Sequence, residues 1–199
     1  MASGVNEPRY LGHFIEFIDL EQFGKVWQNC QDKSCIFTAR FNEDRTKLIG
    51  LTPDELNSLC DFAALDYLLV EADGSRCLPL KAHASHEPVL FSRAELGAAV
   101  IGLQGLGRKV KEGQVHRPHL LCQLLQCAEG HIISGSDFVK IACTYLDLLP
   151  TEERLLVLSQ AEVADENLLR ELVKQIKDFY RDDRLKVIVQ NLQGWYFVG

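Results

Sequence analysis

Chemistry-bearing side chains are densest in residues 68–88, LLVEADGSRCLPLKAHASHEP. An apolar run there discharges two carboxylates, Glu71 and Asp73. If residues 67–70 form a strand, acids one residue apart on its extended continuation point to the same side. Ligands of open α/β sheets bind just beyond the carboxyl ends of strands. A carboxylate pair in that place can hold Mg²⁺ directly or through water. Gly74 lets the chain turn closely past a ligand, and Ser75 follows it. Arg76, Lys81, His83 and His86 then add cationic and imidazole groups, which favours a nucleotide or another anion as the ligand. The plainer alternative is that Glu71 and Asp73 end the strand and cap a turn, within a surface loop of scattered charges. Cys77 lies in the same loop, but no base can be placed beside it, so it reads as a bystander.

A second group follows a polar, Gly-containing turn. Arg117 can clamp a phosphate or carboxylate bidentately, or form a salt bridge to one of the many acids. His116, His119, Cys122, Cys127 and His131 crowd one stretch and invite a metal reading. Closed zinc sites show two close ligand pairs. Here Leu120, Leu121, Leu124 and Leu125 interleave with the cysteines as in an amphipathic helix, so Cys122 and Cys127 read as small core residues.

These groups need a scaffold. Continuous apolar runs at residues 67–70, 98–101, 155–158 and 187–189 suit strands covered on both faces of a parallel sheet. Between them lie two amphipathic helices. One carries Phe138, Ile141, Ala142, Tyr145 and Leu149. The other starts near Asp165 and carries Leu168, Leu169, Leu172, Val173 and Ile176. Earlier, residues 19–31 predict a helix with Leu20, Phe23, Val26 and Trp27 on one face, and residues 35–38 a short β-prone run. Thr52, Pro53 and Glu55 form a strong helix start, whose helix turns Leu56, Leu59 and Cys60 inward. Residues 195–198 predict a last strand or a docking tail. Alternating strands and helices imply α/β architecture with a mostly parallel sheet, expected as one domain over residues 1–199.

The net charge of −7 argues against broad contact with a nucleic-acid backbone, which needs a basic face. No apolar run is long enough to span a bilayer. Seven cysteines, an odd number without a small-domain framework, fit a reducing compartment, so a cytoplasmic location is expected.

The words EADGSRCLPLKAHASHEP and IGLQGLGRKVKEGQVHR, in that order, resemble the signature of the YqeC family, proteins associated with maturing selenium-dependent molybdenum hydroxylases. The resemblance implies a three-layer sheet like that of P-loop NTPases. It places Glu71 and Asp73 at the family's acidic strand end, with Lys81, His86 and Glu87 in its Lys-to-His-Glu-Pro loop. His116 and Arg117 match its later His-Arg. It also implies a partnership with a molybdenum hydroxylase or its maturation machinery. Two departures stand out. The family opens with a strand and a GKT-type phosphate loop, and this chain reads as having neither, hence as truncated at the N-terminus. Gly102, Gly105 and Gly107 form a Gly-rich run without the Lys and Ser/Thr of a phosphate loop. The second departure is at residues 158–162, where Leu-Ser-Gln-Ala-Glu replaces an Asn-Lys-x-Asp word, so guanine specificity is not expected and Glu162 reads as a loop acid. The rival classes are a non-enzymatic binding or interaction module, and an NTPase whose phosphate loop is missing from this chain.

Overall fold

The structure, a computed structural model, describes residues 13–29, 36–62 and 67–197. Its contacts divide the chain into two compact units, Met1–Glu71 and Ala72–Gly199.

In the first unit, β1 (His13–Glu16) runs parallel to β2 (Ile36–Phe41), with α1 (Leu20–Asn29) between them in sequence. The short β3 (Leu48–Ile49) adds antiparallel to β2. Asp19 starts α1 by accepting the Gln22 N–H at 2.8 Å. Then α2 (Pro53–Phe62) opens on the expected capping box: the Thr52 N–H reaches Glu55 Oε2 at 2.8 Å, and the Glu55 N–H returns to Thr52 Oγ1 at 3.3 Å. These reciprocal bonds satisfy two of the donors that a helix start leaves orphaned. Phe17, Phe23 and Leu59 make a small core, against which Leu20, Leu51 and Leu68 pack. Leu56 is buried as expected, whereas the side chains of Val26 and Trp27, and residues 30–35, lie outside the described set.

The second unit is a sheet ordered β4 (Leu96–Gly102), β5 (Glu153–Ser159), β6 (Leu185–Asn191) and β7 (Gly194–Phe197). The first three strands are parallel and β7 is antiparallel, so the chain is α/β with a parallel three-strand centre flanked by helices. The runs expected at 98–101, 155–158 and 187–189 are all strands, and 98–101 pairs in register with 155–158. The helices are α3 (Pro118–Leu125), α4 (Gly135–Asp147) and α5 (Glu166–Tyr180). With the strands they enclose one core, in which Ile101, Leu121, Phe138, Ile141, Leu156, Leu158, Leu172 and Ile176 are fully buried. Asp165 caps α5 as expected, but Leu168 stays exposed.

Three expectations are corrected. A strand, β1, precedes α1 where none is expected. Residues 67–70 form no strand. Leu68 packs on the first unit's core, while Tyr67 is 87% and Leu69 93% exposed. A four-residue apolar run states only that burial is available; a strand also needs a ladder partner, and this run has none among the described residues. Nor do helices cover both faces of β4. Its residues alternate, Ala99 and Ile101 facing the core while Leu96, Ala98 and Val100 stay exposed, the pattern of a sheet covered on one side.

The glycines after β4 serve a close approach. A Cβ on Gly102 would stand 2.8 Å from Pro79 Cβ, and one on Gly105 would stand 2.2 Å from Leu80 Cδ1. Leu80 is almost fully buried, so it has no room to retreat. We expect Gly105→Ala to destabilise the second unit by about 2 kcal/mol through overpacking, read as a lower urea midpoint. An unchanged midpoint would mean that Leu80 repacks freely.

Candidate functional site

Residues 72–90, the stretch of the second unit that precedes β4, are held against the rest of that unit by their own backbone. Gly102, at the carboxyl end of β4, donates its N–H to Pro79 O at 3.0 Å. His116 N–H reaches Leu80 O at 2.8 Å, and Ala82 N–H reaches His116 O at 3.2 Å. Lys81 lies between these bonds. From α4, the Tyr145 hydroxyl donates to Lys81 O at 2.6 Å and accepts the Lys81 N–H at 2.9 Å. Both polar groups of that peptide position are thus satisfied away from water.

The Lys81 side chain then points into a charge cluster. Only 3% of the residue is exposed. Its Nζ lies 2.6 Å from Asp73 Oδ2, 2.9 Å from Glu87 Oε2 and 3.1 Å from Gly74 O. His83 Nε2 also approaches Asp73 Oδ2, at 2.7 Å. The two nitrogens reach that buried oxygen at ion-pair distance but off hydrogen-bonding directions; at such separations the distance governs the electrostatics. Arg117 grips Glu87 with both guanidinium nitrogens, Nη2 to Oε1 at 2.9 Å and Nη1 to Oε2 more closely, and Nη1 also faces Ala82 O. The His83 ring stands edge-on to Tyr145, centroids 4.8 Å apart.

Electrostatics follow from this geometry. The Arg117 guanidinium, helped by Lys81, holds the Glu87 carboxyl far below the usual carboxylate range despite burial. His83 and then Lys81 hold Asp73 down in the same way. Glu87 in return pushes Arg117 up. Burial lowers His116, and the positive charges of Arg117, Arg76 and Lys81 lower it further, so its imidazole is neutral at pH 7.

Of the residues singled out from sequence, Asp73, Lys81, Glu87 and Arg117 converge, with Gly74 contributing a carbonyl. Gly74 is not the tight turn, since a Cβ there would meet open space. The turn falls instead on Arg76 and Cys77, both left-handed at φ 53° and 58°, closed by Leu78 N–H on Ser75 O at 3.1 Å. Arg76 and His86 are exposed and stand outside the ion pairs of this cluster. Glu71 is exposed as well and takes no part. Tyr145 and His83 complete the cluster. Tyr145 reads from sequence as one apolar member of a helix face, although a buried tyrosine always demands a partner for its hydroxyl.

A Mg²⁺ ion does not fit the carboxylates expected to hold it. It requires near-octahedral oxygen ligands at about 2.0–2.1 Å. Asp73 Oδ2 already faces two nitrogens, both Glu87 oxygens face Arg117, and no group of three ligating side chains exists among the described residues. At this place two cations are fixed by two carboxylates, and the neutral imidazole of His116 stands next in sequence to Arg117.

The protein-family model described as "YqeC protein" matches residues 7–119. A protein of Escherichia coli (strain K12) that bears the name uncharacterized protein YqeC is 37% identical over 107 residues, which is 54% of this chain and 41% of that protein. The chain therefore spans less than half the length of this relative in the matched stretch. No solved structure is significantly similar.

Because the folded-state pKa values of Glu87 and Asp73 are depressed, their contribution to stability is present above the unfolded values and is lost as pH falls. For Glu87 the loss begins near its ordinary value of 4.5. We expect Glu87→Gln to cost about 2 kcal/mol at neutral pH, where it removes charge-assisted bonds, and to flatten the decline below that pH. Urea midpoints measured across the acid range check both; parallel curves for the two proteins would refute the linkage.

Proposed function

The chain belongs to the YqeC family, and from that premise we propose that it is an accessory protein in the maturation of selenium-dependent molybdenum hydroxylases, acting through an anion site beside Lys81. The process is what the family resemblance implies. The site reading rests on one observation: a nearly fully buried lysine, held between two carboxylates, sits where the loop docks at the carboxyl end of β4. Ligands of α/β sheets gather at that edge. The partner in this reading is a molybdenum hydroxylase or its maturation machinery. The P-loop-like ancestry of the sheet belongs to the same proposal.

The paired charges set the division of labour. Asp73 and Glu87 neutralise Lys81 and Arg117, so these four build and orient the site. Arg76 is exposed three residues after Asp73, and the half-exposed His116 precedes Arg117. An incoming anion is met by the Arg76 guanidinium and the His116 ring, with the fixed network behind them. It binds directly, without a metal bridge through Asp73.

A second reading has an observation in its favour: the full pairing of Asp73 and Glu87 is also what a purely structural clamp would look like. Variants at the margin separate the two. We expect the double substitution Arg76→Ala, His116→Ala to leave the melting temperature nearly unchanged while hydroxylase activity in cells falls about tenfold, the equivalent of one lost charge-assisted contact. Unchanged hydroxylase activity would leave the structural clamp as the answer.

Nucleotide is a weak candidate for the anion. No Gly-x-x-x-x-Gly-Lys-Ser/Thr word occurs in the sequence, and the start of α1 is already occupied by the Asp19 carboxylate. Titration calorimetry is expected to find feeble binding of ATP and GTP with no preference for guanine; micromolar affinity for either would contradict this.

A further inference from the structure

Away from the candidate site, α3 ends in a left-handed residue, Gln126, at φ 57°. Gln126 N–H bonds back to Gln123 O at 3.3 Å, and Cys127 N–H bonds back to Cys122 O at 3.0 Å. These two bonds define a Schellman motif, and the residues whose side chains meet across it are the first and the last, Cys122 and Cys127. Helix ends of this kind place an apolar pair there; this chain places two thiols. Standard backbone dimensions then hold the two α-carbons within about 7 Å of each other, against the roughly 4.4–6.8 Å that a disulfide spans. Burial raises the Cys127 thiol, and the neighbouring Cys122 raises it further. Both are free and half-buried against the core. They belong to no group of three ligating side chains among the described residues, so a metal does not account for the pairing.

We propose that Cys122 and Cys127 are a dithiol couple that oxidises reversibly to an intramolecular disulfide by exchange with a low-molecular-weight disulfide such as glutathione disulfide. The thiolate of one cysteine attacks a sulfur of the small disulfide, whose S–S bond breaks and releases one thiol. The second cysteine's thiolate then attacks the protein-bound sulfur of the mixed disulfide and expels the other thiol. The protein loses two protons and two electrons, and the small disulfide gains them. The new bond pins the last turn of α3, an eight-residue helix whose preceding residue, Arg117, holds Glu87. The couple and the charge cluster therefore stand at opposite ends of one short helix.

The tryptic peptide 112–140 contains Cys122 and Cys127 and no other cysteine. The folded full chain is incubated with glutathione disulfide, remaining thiols are alkylated, and the digest is weighed. The expected product is this peptide without alkylation and lighter by two hydrogens, restored to two alkylated cysteines by prior treatment with dithiothreitol. Cys122→Ser and Cys127→Ser should each leave a glutathione adduct on the surviving cysteine. Two alkylated cysteines after oxidation of the unmodified chain, lasting glutathione adducts on it, or a bridge to another peptide would each overturn the proposal.

Discussion

A lysine ammonium removed from water is tolerable only where opposite charge and hydrogen-bond acceptors replace its hydration, and the arrangement of residues 72–90 answers that requirement at Lys81. Asp73, Glu87 and Gly74 O surround its Nζ. The hydroxyl of Tyr145 closes its backbone. Arg117 fixes Glu87 from the far side. The partners come from both ends of residues 72–90 and from two helix neighbourhoods beyond it, so a long segment without regular secondary structure acquires one position. Removing one charge unbalances those that remain, and that asymmetry makes such a network strict in geometry even where its net contribution to stability is small.

The same balance shapes what the site can bind. Two acids against Lys81 and Arg117 leave no excess within the network, so its cations are not free to follow a ligand. Their service is to hold a rigid wall. Beyond it, burial lowers His116 and the positive charges of Arg117, Arg76 and Lys81 lower it further, although the whole chain carries −7. Local field and net charge answer different questions: the first selects a small ligand, the second discourages a long polyanion.

Most elements of the second unit were legible because their apolar runs agree with burial. Ala98 through Ile101 lies in β4, and Phe138, Ile141, Ala142 and Tyr145 share the inward face of α4. Residues 67–70 were misread because the same apolar signal serves a strand and a segment with one anchoring side chain, here Leu68. The opening of the first unit was misread in the opposite sense: β1 is a strand parallel to β2, with only Phe17, Ile18 and Asp19 before α1 and no glycine among them. Within the site, Asp73, Lys81, Glu87 and Arg117 were found as residue types, while their pairing was not. Tyr145 lies 64 positions from Lys81, and no local pattern records a contact of that range.

The run Gly102, Gly105, Gly107 shows how composition can suggest one chemistry while backbone bonding assigns another. A phosphate cradle needs amide hydrogens turned towards the ligand and uncommitted. Here Gly102 N–H is bound to Pro79 O, Leu106 N–H to Leu103 O, Gly107 N–H to Ile133 O at 2.9 Å, and Arg108 N–H to Gly105 O at 3.2 Å. Gly107 is left-handed at φ 73°, a conformation that glycine adopts without steric cost, and Gly102 and Gly105 let Pro79 and Leu80 approach. The glycines thus serve the docking of the loop that carries Lys81. With those amides spent, this run forms no phosphate cradle.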